Sequence, residues 1–231
     1  LYAAWAWVPW LCWSMRRLAS RGRLVDVAPA VLAAGLMALA DIRMGLYGGM
    51  AAAGYGVWLV LRLHEEWGQR GRFLGMAVLA GVLAVALVAV QFVPLAMIAG
   101  RLSRGEMDVL ASSTPSLPPQ YLLGLLGADH GGFQETMTYV GAVGLFLTVV
   151  ALFRWRSGER WLWAGGALVA AVYALGVYTP LYGWLYGWLW PLRWLRGPAR
   201  AWFLVVLSVA VLGAQGLTAL EKTMLRRRQQ H

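Results

Sequence analysis

The run from Phe73 to Ala99, FLGMAVLAGVLAVALVAVQFVPLAMIA, contains no charged residue, and this limits the possible folds more than any other feature of the chain. As a helix it measures about 40 Å at 1.5 Å per residue. That is enough to cross the ~30 Å hydrocarbon core of a bilayer with tilt, or to project beyond it. Other apolar runs accompany it, and 60% of the 231 residues are hydrophobic against 13% charged. A water-soluble domain cannot bury that much apolar surface, so the expected solvent is a membrane.

Seven apolar segments follow one another. Leu1 to Trp13 carries four tryptophans and Pro9 and is too short to span. It is expected to be the end of a truncated helix, because the chain starts without methionine and without the basic start and cleavage site of a signal peptide. On this reading the sequence is the middle or end of a longer protein. Leu24 to Ala40, Leu46 to Leu63, Phe73 to Ala99, Met137 to Phe153, Trp161 to Val177 and Ala201 to Leu220 complete the set. The fold class expected is all-α, a polytopic integral membrane helix bundle of about seven transmembrane segments, forming one domain over residues 1–231. Asp41, Ile42 and Arg43 form a tight connection between the second and third segments. Gly35, Gly48, Gly49, Ala52, Gly54 and Gly56 are small enough to let helix backbones approach closely. Gln91 and Pro94 suggest a kink.

The net charge of +10 would point to nucleic acid in a soluble protein, but here the basic residues fill the gaps between apolar runs. Alternating the seven segments places Arg16, Arg17, Arg21, Arg23, Arg62, Arg70, Arg72, Arg154, Arg156, Arg160, Lys222 and Arg226 to Arg228 on one face, fourteen of twenty. The positive-inside rule makes that face cytoplasmic, with the N-terminus of the chain outside and a basic cytoplasmic tail over 221–231. Two long loops, 100–135 and 178–200, then lie outside. Asp26 and Asp41 fall at the ends of the second segment, where both can reach an interface. The inner links are short and lack a GxxxxGK[ST] motif, which argues against nucleotide-driven chemistry. One cysteine, Cys12, excludes an internal disulfide and a thiolate-rich metal site.

Candidate chemistry lies in the outer loops. Asp129, His130 and Glu135 put two carboxylates and an imidazole within seven residues, a set suited to a base or a ligand. The plainer reading is a solvated turn with Glu135 meeting a helix N-terminus. Their spacing matches no metal motif, and there is no HExxH or CxxC. The second loop repeats rings every four residues through YGWLYGWLW and ends in Arg193, Arg196 and Arg200. Its aromatic residues suit an interfacial belt. Its arginines suit bidentate contact with a lipid phosphate or pyrophosphate, although lipid headgroups alone account for the charge equally well.

The order of several motifs resembles the YfhO family of bacterial membrane proteins. SLPPQYLLGLL at Ser116 to Leu126 is followed by E-x-x-x-YVG at Glu135 to Gly141, LGVYTPLY at Leu175 to Tyr182 and RGPAR at Arg196 to Arg200. ALADIRMGLY at Ala38 to Tyr47 stands where relatives carry a Gly-His-Pro-like turn, and Asp41, Ile42 and Arg43 depart from that pattern. The resemblance implies a GT-C class glycosyltransferase of the bacterial cytoplasmic membrane. Such an enzyme takes a sugar from a polyprenyl-phosphate carrier and transfers it to a cell-envelope glycan acceptor on the outer face. Arg193, Arg196 and Arg200 would hold the lipid phosphate, while Tyr121, Tyr178, Trp184 and Trp188 would contact sugar or lipid. Asp129, His130 and Glu135 would assist a main base expected upstream. No cofactor is required by this reading, although a divalent metal remains open. The partners implied are the lipid-linked sugar, membrane lipids and the glycan acceptor, without nucleic acid. A transporter or flippase of lipid-linked glycan, or a non-catalytic scaffold, are the alternatives.

Overall fold

The computed structural model describes residues 2–62, 67–99, 112–127, 136–155, 157–188 and 195–228. Among them all regular structure is helical. The chain divides into two compact units, Leu1–Gly105 and Glu106–His231, with the boundary inside the polar stretch 100–135.

Unit 1 contains α1 (Tyr2–Trp5), α2 (Val8–Arg21), α3 (Val27–Ala40), α4 (Ile42–Arg62) and α5 (Trp67–Ala99). Pro9 lies in the first turn of α2, where a missing N–H costs no hydrogen bond. The helix continues through Arg16, Arg17 and Arg21, residues that the sequence places in a gap between apolar runs. It stops at Gly22, whose left-handed backbone (φ 59°) lets its N–H reach Leu18 O at 3.0 Å. A single residue, Asp41, separates α3 from α4. Its Oδ1 accepts the N–H groups of Arg43 at 3.0 Å and Met44 at 3.3 Å, satisfying donors that a helix start leaves open.

Helix α3 packs against α2, α4 and α5. A Cβ on Gly35 would lie 2.5 Å from Leu87 Cδ2, so α5 passes close to its backbone. Gly48 likewise faces Met37 and Gly56 faces Met15, whereas Gly49 and Gly54 face open space. Helix α5 buries Phe73, Met76, Ala80 and Ala84, one stripe at helical spacing. It runs on for 33 residues with Pro94 inside it, about 50 Å, and after Ala84 the described side chains are exposed or half-buried.

Asp26 lies in a 3-10 turn between α2 and α3 and is 1% exposed. Its Oδ1 is paired with Arg17 Nε. The carboxylate is therefore sealed by protein, because the reversal at Gly22 folds it back against α2.

Unit 2 contains α6 (Ala142–Arg154), α7 (Glu159–Ala174), α8 (Pro180–Trp188) and α9 (Trp202–Arg228). Helix α9 packs along α6 and α7. The α6–α9 contact is close enough that a Cβ on Gly216 would fall 2.0 Å from Leu147 O. Thr148 Oγ1 also donates to Val209 O at 3.4 Å. Leu117, Ala170, Ala174, Ala199, Trp202, Val205 and Val209 form the buried core.

Among the described residues three helices are long and apolar enough to cross a membrane, Ile42–Arg62, Gly68–Ile98 and Pro198–Leu225. Two shorter apolar ones are Leu24–Ala40 and Ala142–Arg154. The segment expected from Met137 becomes helical only at Ala142, because residues 137–141 run outside regular structure and Gly141 has φ 85°. Thirteen residues of α6 give about 20 Å, short of a full crossing.

Candidate functional site

Three segments far apart in the sequence meet at one end of unit 2, where α7 ends and α9 begins. They are residues 112–117, 174–182 and 195–201; the last two contain LGVYTPLY and RGPAR, while the first contains only Ser116 and Leu117, the start of SLPPQYLLGLL. The first segment contains Pro115 and a cis Thr114–Pro115 peptide, and its backbone pairs with the other two. Gly197 N–H donates to Ser112 O at 3.0 Å and Ala199 N–H to Pro115 O at 3.2 Å. Arg196 Nε adds a bond to Thr114 O at 3.2 Å. On the other side Leu117 N–H donates to Ala174 O at 2.9 Å. Ser116 Oγ accepts the Val177 N–H at 3.1 Å and donates to Ser113 O at 2.6 Å. Loop backbone that would otherwise be buried without partners is thereby satisfied.

Two glycines make this close approach possible. Gly176 (φ 53°) would place a Cβ 2.1 Å from Ser116 Oγ and 2.7 Å from Pro198 Cγ. Gly197 (φ 78°) would place one 3.0 Å from Pro115 Cδ. Only glycine combines that backbone with that space.

Leu117, fully buried, anchors the segment that follows. Pro119–Leu125 forms a 3-10 turn that lays Tyr121, Leu122 and Leu125 on the core of α7 and α9. Thr138 Oγ1 donates to Tyr121 O and fastens the far side of this cover. Beneath the junction lies a ladder of phenols. The Tyr173 and Tyr182 rings are 5.6 Å apart, and Tyr182 and Tyr186 are 6.3 Å apart. Tyr182 is 2% exposed, and its Oη lies 3.0 Å from Ser112 Oγ. Burial holds the Tyr182 phenol above its usual pKa of 10.0, and the Ser112 bond only partly offsets this.

The four-residue ring spacing of α8 therefore produces two faces. Tyr182 turns inward, while Trp184 and Trp188, 5.6 Å apart, are 58% and 76% exposed. Tyr178 is also exposed, and Tyr121 is half-buried on the core. Arg196 is exposed with its Nε committed to Thr114. Arg200 is half-buried and has an interaction partner. Asp129, His130, Glu135 and Arg193 lie outside the described residues. Among the described residues no three of His, Cys, Asp and Glu come close enough to hold a metal ion.

Ser112, Ser116 and Tyr182 were not singled out from the sequence. Their only advance signal was position, since Ser116 and Tyr182 occur within the ordered motifs. The chain matches no protein-family model, no curated protein and no solved structure.

Proposed function

We propose that this chain is part of a GT-C type glycosyltransferase of the bacterial cytoplasmic membrane, related to the YfhO family. It would move a sugar from a polyprenyl-phosphate carrier to a cell-envelope acceptor on the outer face. The observation that carries the reading is that LGVYTPLY and RGPAR meet, at one end of unit 2, the Ser116–Leu117 start of SLPPQYLLGLL in one hydrogen-bonded junction.

The junction suits the outer rim of a lipid-carrier site. Its cover presents Tyr121, its exposed aromatic helix presents Trp184 and Trp188, and Arg196 and Arg200 supply positive charge at the junction. In such a transfer a carboxylate takes the acceptor hydroxyl proton as the bond from sugar to lipid phosphate breaks, and arginine stabilises the leaving phosphate. Asp129, His130 and Glu135 would assist the proton step, with the main base expected upstream. The fourteen-residue basic face lies inside in this reading, with the seven segments alternating across the bilayer.

Reconstitution of the protein in vesicles with a radiolabelled polyprenyl-phosphate sugar tests the proposal, with transfer and transbilayer movement of the carrier measured separately. Transfer that drops in Arg200→Gln supports it. Movement of the carrier without any transfer would instead identify a flippase, and neither activity would leave a scaffold.

A further inference from the structure

The opposite end of unit 2 carries a second cluster. Trp202 and Lys222 are separated along α9 by about 30 Å at 1.5 Å per residue, the thickness of a hydrocarbon core. At the Lys222 end, the α6–α7 turn folds Arg160 back so that its Nη1 donates to Trp155 O. The Arg160 guanidinium also lies 5.0 Å from the centre of the Trp161 ring. Lys222 Nζ reaches across from α9 and stands 4.9 Å from the centre of the Trp155 ring. Cations over indole faces gain a favourable contact, and their charge is not neutralised by it.

The cluster has more donors than acceptors. Trp155 Nε1 and Arg160 Nε are shut from solvent and have no acceptor among the described residues. Neither Lys222 nor Arg160 has a carboxylate within ion-pair distance among those residues. The two acidic side chains in the neighbourhood do not compensate, since Glu221 is exposed and Glu159 is buried with a partner of its own. Arg154, exposed at the end of α6, adds a further positive charge. The two sealed N–H groups face no outside ligand, but two indoles with the Lys222 and Arg160 cations, and the exposed Arg154 close in sequence, suit an anion with several oxygens at the level where a bilayer's headgroups lie.

We propose that Lys222, Arg160 and Trp155 form a binding site for a phosphate-bearing anion, the phosphodiester of a net-negative phospholipid. The site is separate from the junction, and it stands whether or not the protein transfers sugar. A zwitterionic lipid carries the same phosphate, but its ammonium group cancels the attraction of the cluster.

Native mass spectrometry of the purified protein with phosphatidylglycerol or phosphatidylcholine of matched chains tests this, alongside thermal shifts with inorganic phosphate. The wild-type protein retains phosphatidylglycerol in preference, and Lys222→Gln lowers that retention about fivefold, the contribution of one basic side chain near an anionic surface. Lys222 makes no hydrogen bond among the described residues, so its replacement leaves the fold intact, and an unchanged melting curve verifies this. Arg23→Gln, an exposed cation of unit 1, retains the lipid as the wild type does. Displacement of phosphatidylglycerol by inorganic phosphate would support the site and name free phosphate as an equal ligand. Equal retention of the two lipids, no loss in Lys222→Gln, or an equal loss in Arg23→Gln would each overturn the proposal.

Discussion

Tyr182 Oη lies 3.0 Å from Ser112 Oγ, a bond between positions seventy apart in the chain that joins the stiff loop to the aromatic helix α8. Both hydroxyls are buried, so neither has water to fall back on. Losing this bond where no water replaces it costs about 1–3 kcal/mol. Ser112→Ala and Tyr182→Phe are each expected to destabilise unit 2 by that amount. The double variant should cost less than the sum of the two, as a double-mutant cycle of unfolding in detergent would record.

The same phenol predicts a pH effect. Its folded pKa lies above the ordinary 10.0 because burial opposes the phenolate. The resulting stabilisation is complete below about pH 10 and is lost as pH rises through the folded value, since the unfolded chain releases the proton first. Unfolding midpoints between pH 9 and pH 11 should fall more steeply for the wild type than for Tyr182→Phe. Parallel curves would exclude Tyr182 as the cause.

Gly176→Ala meets two obstacles, a left-handed backbone and a Cβ placed 2.1 Å from Ser116 Oγ. Together the backbone strain and the overpacking are expected to cost about 3 kcal/mol. Gly183→Ala, with open space around it inside α8, should change stability by no more than about 0.5 kcal/mol. Hydrogen exchange at the Val177 and Leu117 amides would report the difference. Equal protection in both variants would show that the junction does not depend on Gly176.

Gly216→Ala tests the contact between α6 and α9. The obstructing atom is the Leu147 carbonyl oxygen at 2.0 Å, which is backbone and cannot rotate away, so the two helices must separate. A loss of about 1–3 kcal/mol is expected. At Gly213 the nearest atom would be 3.8 Å away, an ordinary contact, and alanine there should be tolerated. Thermal unfolding of the two variants in the same micelle provides the comparison.

Arg17→Ala removes the counter-charge of a carboxylate that is 1% exposed. Breaking a fully buried pair costs about 3–5 kcal/mol, and because the Arg17 side chain is 34% exposed a loss nearer 2–3 kcal/mol is expected. Arg17→Ala combined with Asp26→Asn should recover much of it. If the single variant melts with the wild type, the pair does not hold α2 against α3.

Much of the helical framework was legible before any coordinates. A run such as 73–99, without a charge, must satisfy its own backbone hydrogen bonds, and a helix does so locally. Asp41 between two apolar segments was readable as a connection for the same local reason, since its side chain caps residues two and three positions ahead. The four-residue repeat of α8 placed its rings near one another, again by local geometry. What local rules missed were the interruptions. Arg16 to Arg21 are polar enough to suggest a turn, yet α2 continues because Gly22, with its left-handed backbone, provides the stop.

Residue types alone settled the apolar, helical character of this protein, because hydrophobicity and the 3.6-residue period are properties of neighbouring residues. Tertiary structure alone decided which polar groups are sealed and with what. Ser112 and Ser116 look like ordinary loop serines until Gly197, Val177 and Tyr182 arrive from more than sixty residues away. Asp26 looks like a solvated end residue until the chain reverses onto Arg17 and seals it. Hydrogen bonds and burial between distant segments depend on how the backbone returns on itself, and no spacing along the chain encodes that return. The LGVYTPLY and RGPAR motifs and the proline-containing stretch from Ser112 could be read one at a time in the sequence, but only the fold brings them to one junction.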